Sequence, residues 1–144
     1  MEAIRHRVDI TAPKADVLAR LTTLDGLASW WTRHVGGNPG IGGDVEFSFG
    51  TPEPTLVMHV VEASEHRVEW RCTVGPDEWR DNAITFELEQ NGDETVLRFT
   101  HAWREPVDFM FHCSTQWAYF LLGLKASFEG GEATPFVGEL QLSS

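Results

Sequence analysis

No proline interrupts the chain from Asp108 to Phe128, and this stretch carries the longest regular pattern in the sequence. Phe109, Cys113, Trp117, Leu121, Leu124 and Phe128 recur at spacings of four, four, four, three and four, which is one face of an α-helix. Such a helix is about 30 Å long. Short alternating segments precede it and read as antiparallel strands. The economical arrangement is an α+β fold in which a sheet curls around one long C-terminal helix. Its interior is then either packed solid or encloses a pocket.

A chain of 144 residues is expected to form one domain, 1–144, with a real core. Hydrophobic residues at 42% and charged residues at 23% exclude wholesale disorder. Six Trp and nine Phe against one Tyr supply large apolar surfaces suited to a bulky core or a hydrophobic cavity. A formal net charge of −11 repels phosphate backbones and anionic lipid, so no nucleic-acid partner is expected. Glu2, Arg5, His6, Arg7 and Asp9 at the N-terminus are no signal-peptide core. The apolar run Trp117 to Leu124 falls well short of the roughly 20 residues that span a bilayer, so no membrane insertion and a cytoplasmic location are expected.

Along the chain, Ile4, His6, Val8 and Ile10 alternate with Arg5, Arg7 and Asp9 as a half-buried first strand over residues 2–11. Thr11 is placed to cap a short helix over residues 13–22, with Pro13 in its first turn and Val17, Leu18 and Leu21 buried. A second short helix over residues 24–32 carries Trp30 and Trp31. Neighbours on a helix point about 100° apart, so one Trp is expected to cover an opening rather than join the core. The run Gly36 to Gly43 leads into the alternating strand 45–49 and not into a helix, so it reads as a turn rather than a phosphate cradle. Strands are expected over 55–63, after a turn at Pro52 and Pro54, and over 67–74, 83–89 and 95–101. Their inward residues are Val68, Trp70, Cys72 and Val74, then Ile84, Phe86 and Leu88, then Leu97, Phe99 and His101.

The order of these elements resembles the helix-grip fold of the START-like, or SRPBCC, superfamily. More narrowly it resembles the AHSA-type branch, related to the C-terminal domain of activators of the ninety-kilodalton heat-shock chaperone ATPase. The residues that carry the resemblance are Ile10-Thr11-Ala12-Pro13 with Val17 and Leu21, the pair Trp30-Trp31, and Gly42-Gly43 before a Phe-rich strand. They continue through Val60-Val61-Glu62-Ala63, Val68-Glu69-Trp70 and Thr95-Val96-Leu97 to His101, and end on Trp117, Leu121, Leu124, Phe128, Glu129 and Gly130. The resemblance implies a curved antiparallel sheet wrapped around the C-terminal helix, with two short helices after the first strand. The superfamily hosts small-molecule and lipid carriers, polyketide cyclases, hydrolases and chaperone regulators, so fold alone leaves function open.

His101 shares the inward face with Leu97 and Phe99, where it serves either as a general base or as a structural histidine satisfied by Ser114 or Gln116. No Ser or Cys pairs with it by spacing, which leaves a nucleophilic triad unsupported. His59, His101, His112, Cys72 and Cys113 match no metal-ligand pattern, and no cofactor is expected. Cys72 and Cys113 read as buried thiols in a reducing compartment, and the sequence leaves open whether they face each other. Glu46, Glu69, Glu87 and Glu89 alternate onto the outer sheet face.

The candidate ligand-binding residues are Trp31, Phe47, Phe49, Met58, Trp70, Cys72, Phe86, Phe99, His101, Met110, Cys113, Trp117 and Phe120, with Trp79 placed to lie over the opening. The first functional expectation is binding of a hydrophobic or aromatic small molecule or an acyl chain without catalysis. The alternatives are a cyclase or hydrolase using His101 and a polarised water, and a module that contacts a chaperone. A monomer or a homodimer fits each of them.

Overall fold

The computed structural model describes residues 2–50 and 55–130. The turn expected at Pro52 and Pro54 lies outside the described residues. The first strand, β1 (Glu2–Ile10), is followed by helices α1 (Lys14–Thr22) and α2 (Leu24–Ala28). Strands β2 (His34–Gly37), β3 (Asp44–Ser48), β4 (Leu56–Ala63) and β5 (Arg67–Val74) then lead to a single 3-10 turn, Asp77–Trp79. Strands β6 (Ala83–Asn91) and β7 (Glu94–Trp103) precede α3 (Asp108–Phe128). Among the described residues these strands form one seven-stranded antiparallel sheet in the order β1-β7-β6-β5-β4-β3-β2.

The long helix lies where the periodicity of the sequence predicts it. Its buried face is Cys113, Trp117, Leu121 and Leu124, joined by Met110 and Phe120, while Phe109 and Phe128 at its two ends are half-buried. Facing it, the sheet contributes Val68, Trp70 and Cys72 from β5, Ile84, Phe86 and Leu88 from β6, and Leu97, Phe99 and His101 from β7, all buried. The opposite register of β5 would bury Arg67, Glu69 and Arg71, and desolvating unpaired charges costs several kcal/mol. Instead Arg67 pairs on the outer face with Glu62 and Glu69. Glu46, Glu87 and Glu89 are exposed there, and Glu69 is partly covered.

Both ends of the grip are fastened. The first strand pairs with the last, Ile4 opposite His101. At the far end of α3, Lys125 Nζ donates to the Asp9 carbonyl at 2.7 Å and to Glu129 at 2.7 Å, and Glu129 in turn accepts the Thr11 N–H at 2.8 Å. Opposite charges four residues apart on one helix support each other, and here they also tie the helix to β1.

Four expectations are corrected. Thr11 does not cap α1; Pro13 occupies the cap position, and Thr11 is engaged with Glu129 through its backbone. The second helix stops at Ala28, with the Thr23 hydroxyl accepting the Gly26 N–H at 3.0 Å. Trp30 and Trp31 therefore lie beyond the helix, the 100° offset does not apply, and both are buried, at 0% and 3% exposure, with rings stacked 6.0 Å apart. Val74 is exposed rather than inward, because a bulge between Val57 and Met58 breaks the alternation at the end of β5. Finally, β2 was not expected: His34-Val35-Gly36-Gly37 has little strand propensity, and pairing of Val35 with Phe47 holds it in the sheet.

Candidate functional site

Alternation along seven strands and the apolar stripe of α3 bring the aromatic candidates into one continuous cluster. Trp31 is its hub, with ring centroids 4.5 Å from Phe47, 5.4 Å from Phe49, 6.0 Å from Trp70 and 4.8 Å from Trp117. From Trp70 the chain of rings continues to Phe86 at 5.0 Å, Phe99 at 5.3 Å and back to Trp117 at 4.5 Å. Trp31 and Trp70 are stacked, and the other contacts are edge or tilted, geometries that aromatic pairs favour. Met58 lies opposite Cys72 across β4 and β5, and Met110, Cys113 and Phe120 project from α3. All of these candidates are buried except Phe49, which is partly so.

His101 sits at one end of this cluster with no exposure to solvent. Its ring is flanked by Trp79 at 4.6 Å and Trp103 at 5.0 Å. Nδ1 accepts the Trp117 indole N–H at 3.2 Å, and Nε2 is 3.0 Å from Asn82 Nδ2. Burial pushes the imidazole pKa from 6.5 down to about 3, so the ring is neutral near pH 7. An indole nitrogen only donates, so Nδ1 must be the acceptor and the single ring proton sits on Nε2. His101 thus has no open lone pair with which to polarise a water. The partners expected for it, Ser114 and Gln116, are not the ones it uses; Ser114 engages His6 instead, through its carbonyl at 3.1 Å.

The thiols are separate. Cys72 Sγ donates to the Val74 carbonyl at 3.4 Å, and Cys113 stands beside the Trp79 indole. Burial pushes each thiol up to about 11. Among the described residues no cluster of three or more His, Cys, Asp or Glu is arranged to hold a metal ion, and no helix is long and apolar enough to cross a membrane.

A cavity of about 400 Å³ opens at the His101 end of the grip, lined by Asp77, Glu78, Trp103, Arg104, Glu105 and Val107. It is framed by the 3-10 turn, the last residue of β7 and the link into α3. Trp79, placed by sequence over the opening, is buried in that same turn and stacks 6.1 Å from Trp117. None of the candidate ligand-binding residues lines this cavity; they form the packed body behind it. Its wall, Trp103 apart, comes from loop residues whose role depends on tertiary position. Trp103 itself was within reach of sequence reasoning, since it lies two residues beyond His101 on the same strand face.

A curved antiparallel sheet closed over one long helix defines a helix-grip domain. The chain belongs to the family described as Activator of Hsp90 ATPase homolog 1-like protein, whose model matches residues 11–129. It is similar to the Aha1 dimer from Colwellia psychrerythraea, a solution structure, with 35% identity over 96% of this chain and 99% of that one and a TM-score of 0.80. It is also similar in fold to the crystal structure of CalU16 from Micromonospora echinospora, with 19% identity, 92% and 77% of the two chains covered and a TM-score of 0.75. A third similar structure is SSP2350 from Staphylococcus saprophyticus, at 17% identity, 94% and 100% coverage and a TM-score of 0.74. No curated protein sequence matches the chain.

Proposed function

We propose that this protein binds an apolar or aromatic small molecule at the His101 end of the grip, without catalysing a reaction on it. The observation that carries this reading is the cavity of about 400 Å³ beside Trp103, a size within the usual range of roughly 300–1,000 Å³ for small-molecule sites. Trp103 and Val107 supply the apolar part of its wall. A His101 that is neutral, buried and committed through its Nδ1 lone pair to the Trp117 indole argues for binding over base catalysis. A ligand that binds only the folded state at a hundredfold excess over its Kd adds about 2.7 kcal/mol of stability. For a domain of this size that raises Tm by on the order of 10 °C. A library of aromatic ketones, flavonoids, sterols and fatty acids that moves neither Tm nor Trp fluorescence would refute the reading.

A second reading, a protein-contact module, is favoured by a different observation. Phe111 and Leu122 are 59% and 56% exposed on the outer side of α3, eleven residues and about three turns apart. The relative from Colwellia psychrerythraea is a dimer, and the family takes its description from a chaperone activator. On this reading α3 presents its outer side to a second copy or to a chaperone. Sedimentation across a range of concentrations tests the first case: a dimer that Phe111→Asp with Leu122→Asp converts to monomer supports it, and a monomer throughout removes it.

A further inference from the structure

The sequence holds two lysines, Lys14 and Lys125, and the fold gives them opposite surroundings. Lys125 Nζ is spent on the Asp9 carbonyl at 2.7 Å and on the two carboxylate oxygens of Glu129 at 2.7 and 2.9 Å. Lys14, the first residue of α1, faces an imidazole instead: its Nζ is 2.8 Å from Nδ1 of His66. An ammonium only donates, so Nδ1 must be the acceptor and the ring proton sits on Nε2. That nitrogen is 3.1 Å from a carboxylate oxygen of Glu65. Amine, imidazole and carboxylate therefore stand in line, a nucleophile beside a base whose other nitrogen is held by a third group. The backbone beneath them is fixed. The Lys14 N–H donates to Gln90 Oε1 of β6 at 2.8 Å, and the His66 carbonyl accepts the Leu88 N–H of the same strand at 2.8 Å. The turn that carries Glu65 and His66, between β4 and β5, is closed by the Ser64 N–H on the Arg67 carbonyl at 2.9 Å. Ser64 Oγ accepts the N–H groups of His66 and Arg67 within that turn.

We propose that Lys14 is a site of acyl modification, at which His66 takes a proton from Lys14 Nζ and the freed amine attacks the carbonyl carbon of an acyl thioester. A C–N bond forms, the C–S bond breaks, and the thiolate leaves with the electron pair. Of the two protons that the ammonium loses, the first goes to Nδ1 of His66 and on to water, and the second goes to the thiolate. The products are an amide at Nζ and a free thiol, with no change of oxidation state. Glu65 accepts from Nε2 throughout and stabilises the imidazolium while it exists. His66 and Glu65 are 64% and 75% exposed, so a reagent reaches the group from solvent. Lys125 has a carboxylate where Lys14 has the imidazole, and a carboxylate is too weak a base to take an ammonium proton near neutral pH.

The test uses the intact protein and N,S-diacetylcysteamine, a neutral thioester that the net charge of −11 does not repel. Peptide mass spectrometry over a time course gives the acetylation rate at each lysine. In the wild type Lys14 is expected to react roughly tenfold faster than Lys125, short of the roughly 10²–10⁴-fold typical of a positioned acid or base because this one is open to water. In urea the two lysines should react alike, since the difference belongs to the fold and not to the neighbouring sequence. In His66→Gln the Lys14 rate should fall roughly tenfold. Glu65→Gln should lower it by less, and in both variants Lys125 should keep its wild-type rate, which reports an intact fold. A Lys14 no faster than Lys125, a difference that survives urea, or a Lys14 rate that His66→Gln leaves unchanged overturns the proposal. A rate unmoved by Glu65→Gln overturns the part given to that carboxylate. The wild-type comparison of native and urea-unfolded protein decides the matter even if a variant does not fold.

Discussion

Replacing His101 with Ala probes the buried network directly, and the structure sets the size of the effect. The imidazole is fully buried and is the acceptor for the Trp117 N–H at 3.2 Å. Its removal strands that indole donor, at about 1–3 kcal/mol. Asn82 keeps its bond to the Glu78 carbonyl, so no second donor is stranded there. Emptying the space between the Trp79 and Trp103 rings adds about 2 kcal/mol, the low end for a large-to-Ala change in a core. The expected total is about 3–5 kcal/mol out of the roughly 5–15 kcal/mol typical of a domain, or a fall in Tm of about 10–20 °C. Urea unfolding followed by Trp fluorescence measures the loss, and a double-mutant cycle isolates the hydrogen bond. In a Trp117→Phe background no donor is left to strand, so the same His101→Ala change should cost about 1–3 kcal/mol less. Equal losses in the two backgrounds, or a loss below about 1 kcal/mol in the first, would refute a network centred on His101.

The same histidine predicts a pH dependence. Its folded pKa of about 3 lies below the ordinary 6.5, so between those values the unfolded chain binds the extra proton. Its contribution to stability is therefore complete above about pH 6.5 and lost as pH falls toward 3; unfolding free energies should fall less steeply over that window in His101→Gln than in wild type. Cys72 and Cys113, held up near 11 by burial, should react with a thiol reagent such as DTNB only at the rate of unfolding, and prompt native labelling would contradict their placement. Gly26→Ala should destabilise by about 1–3 kcal/mol or more by urea melts, because its Cβ would lie 2.6 Å from Arg20 Cα and closer still to the Ala19 carbonyl. A neutral Gly26→Ala would show that α1 and α2 can separate freely.

What the sequence makes legible is what short-range periodicity governs. The α3 stripe and the alternation of β5, β6 and β7 each require one face to be apolar, and a one-residue slip would bury Arg67, Glu69 and Arg71, so register is readable without coordinates. The position of His101 near Cys113 to Trp117 follows from the same logic. The misplaced features depend on distant partners. Whether Trp30 and Trp31 share a core turns on where α2 stops, and it stops at Ala28 with Ser29 as its cap. The strand β2 exists only because β3 pairs with it. Asn82, nineteen residues from His101 and in a loop, has no local signal of its role. Most of the cavity wall, Asp77, Glu78, Arg104 and Glu105, is charged residues that read as ordinary surface until β7, the 3-10 turn and α3 are brought together.

The central claim, that an apolar or aromatic small molecule docks in the cavity at the His101 end, is tested most directly by watching the Trp resonances beside it. A ¹H–¹⁵N correlation spectrum shows the indole resonances of the six Trp, assigned by the Trp79→Phe and Trp103→Phe variants. On titration with an aromatic probe such as 9-fluorenone, the signal of Trp103, which lines the cavity, should move furthest and that of Trp79, in the turn that frames it, next, while Trp30, bonded to the Arg20 carbonyl at 3.0 Å, should stay in place. Saturation with Trp103 and Trp79 unmoved, or with the largest shift at Trp30, would contradict the account.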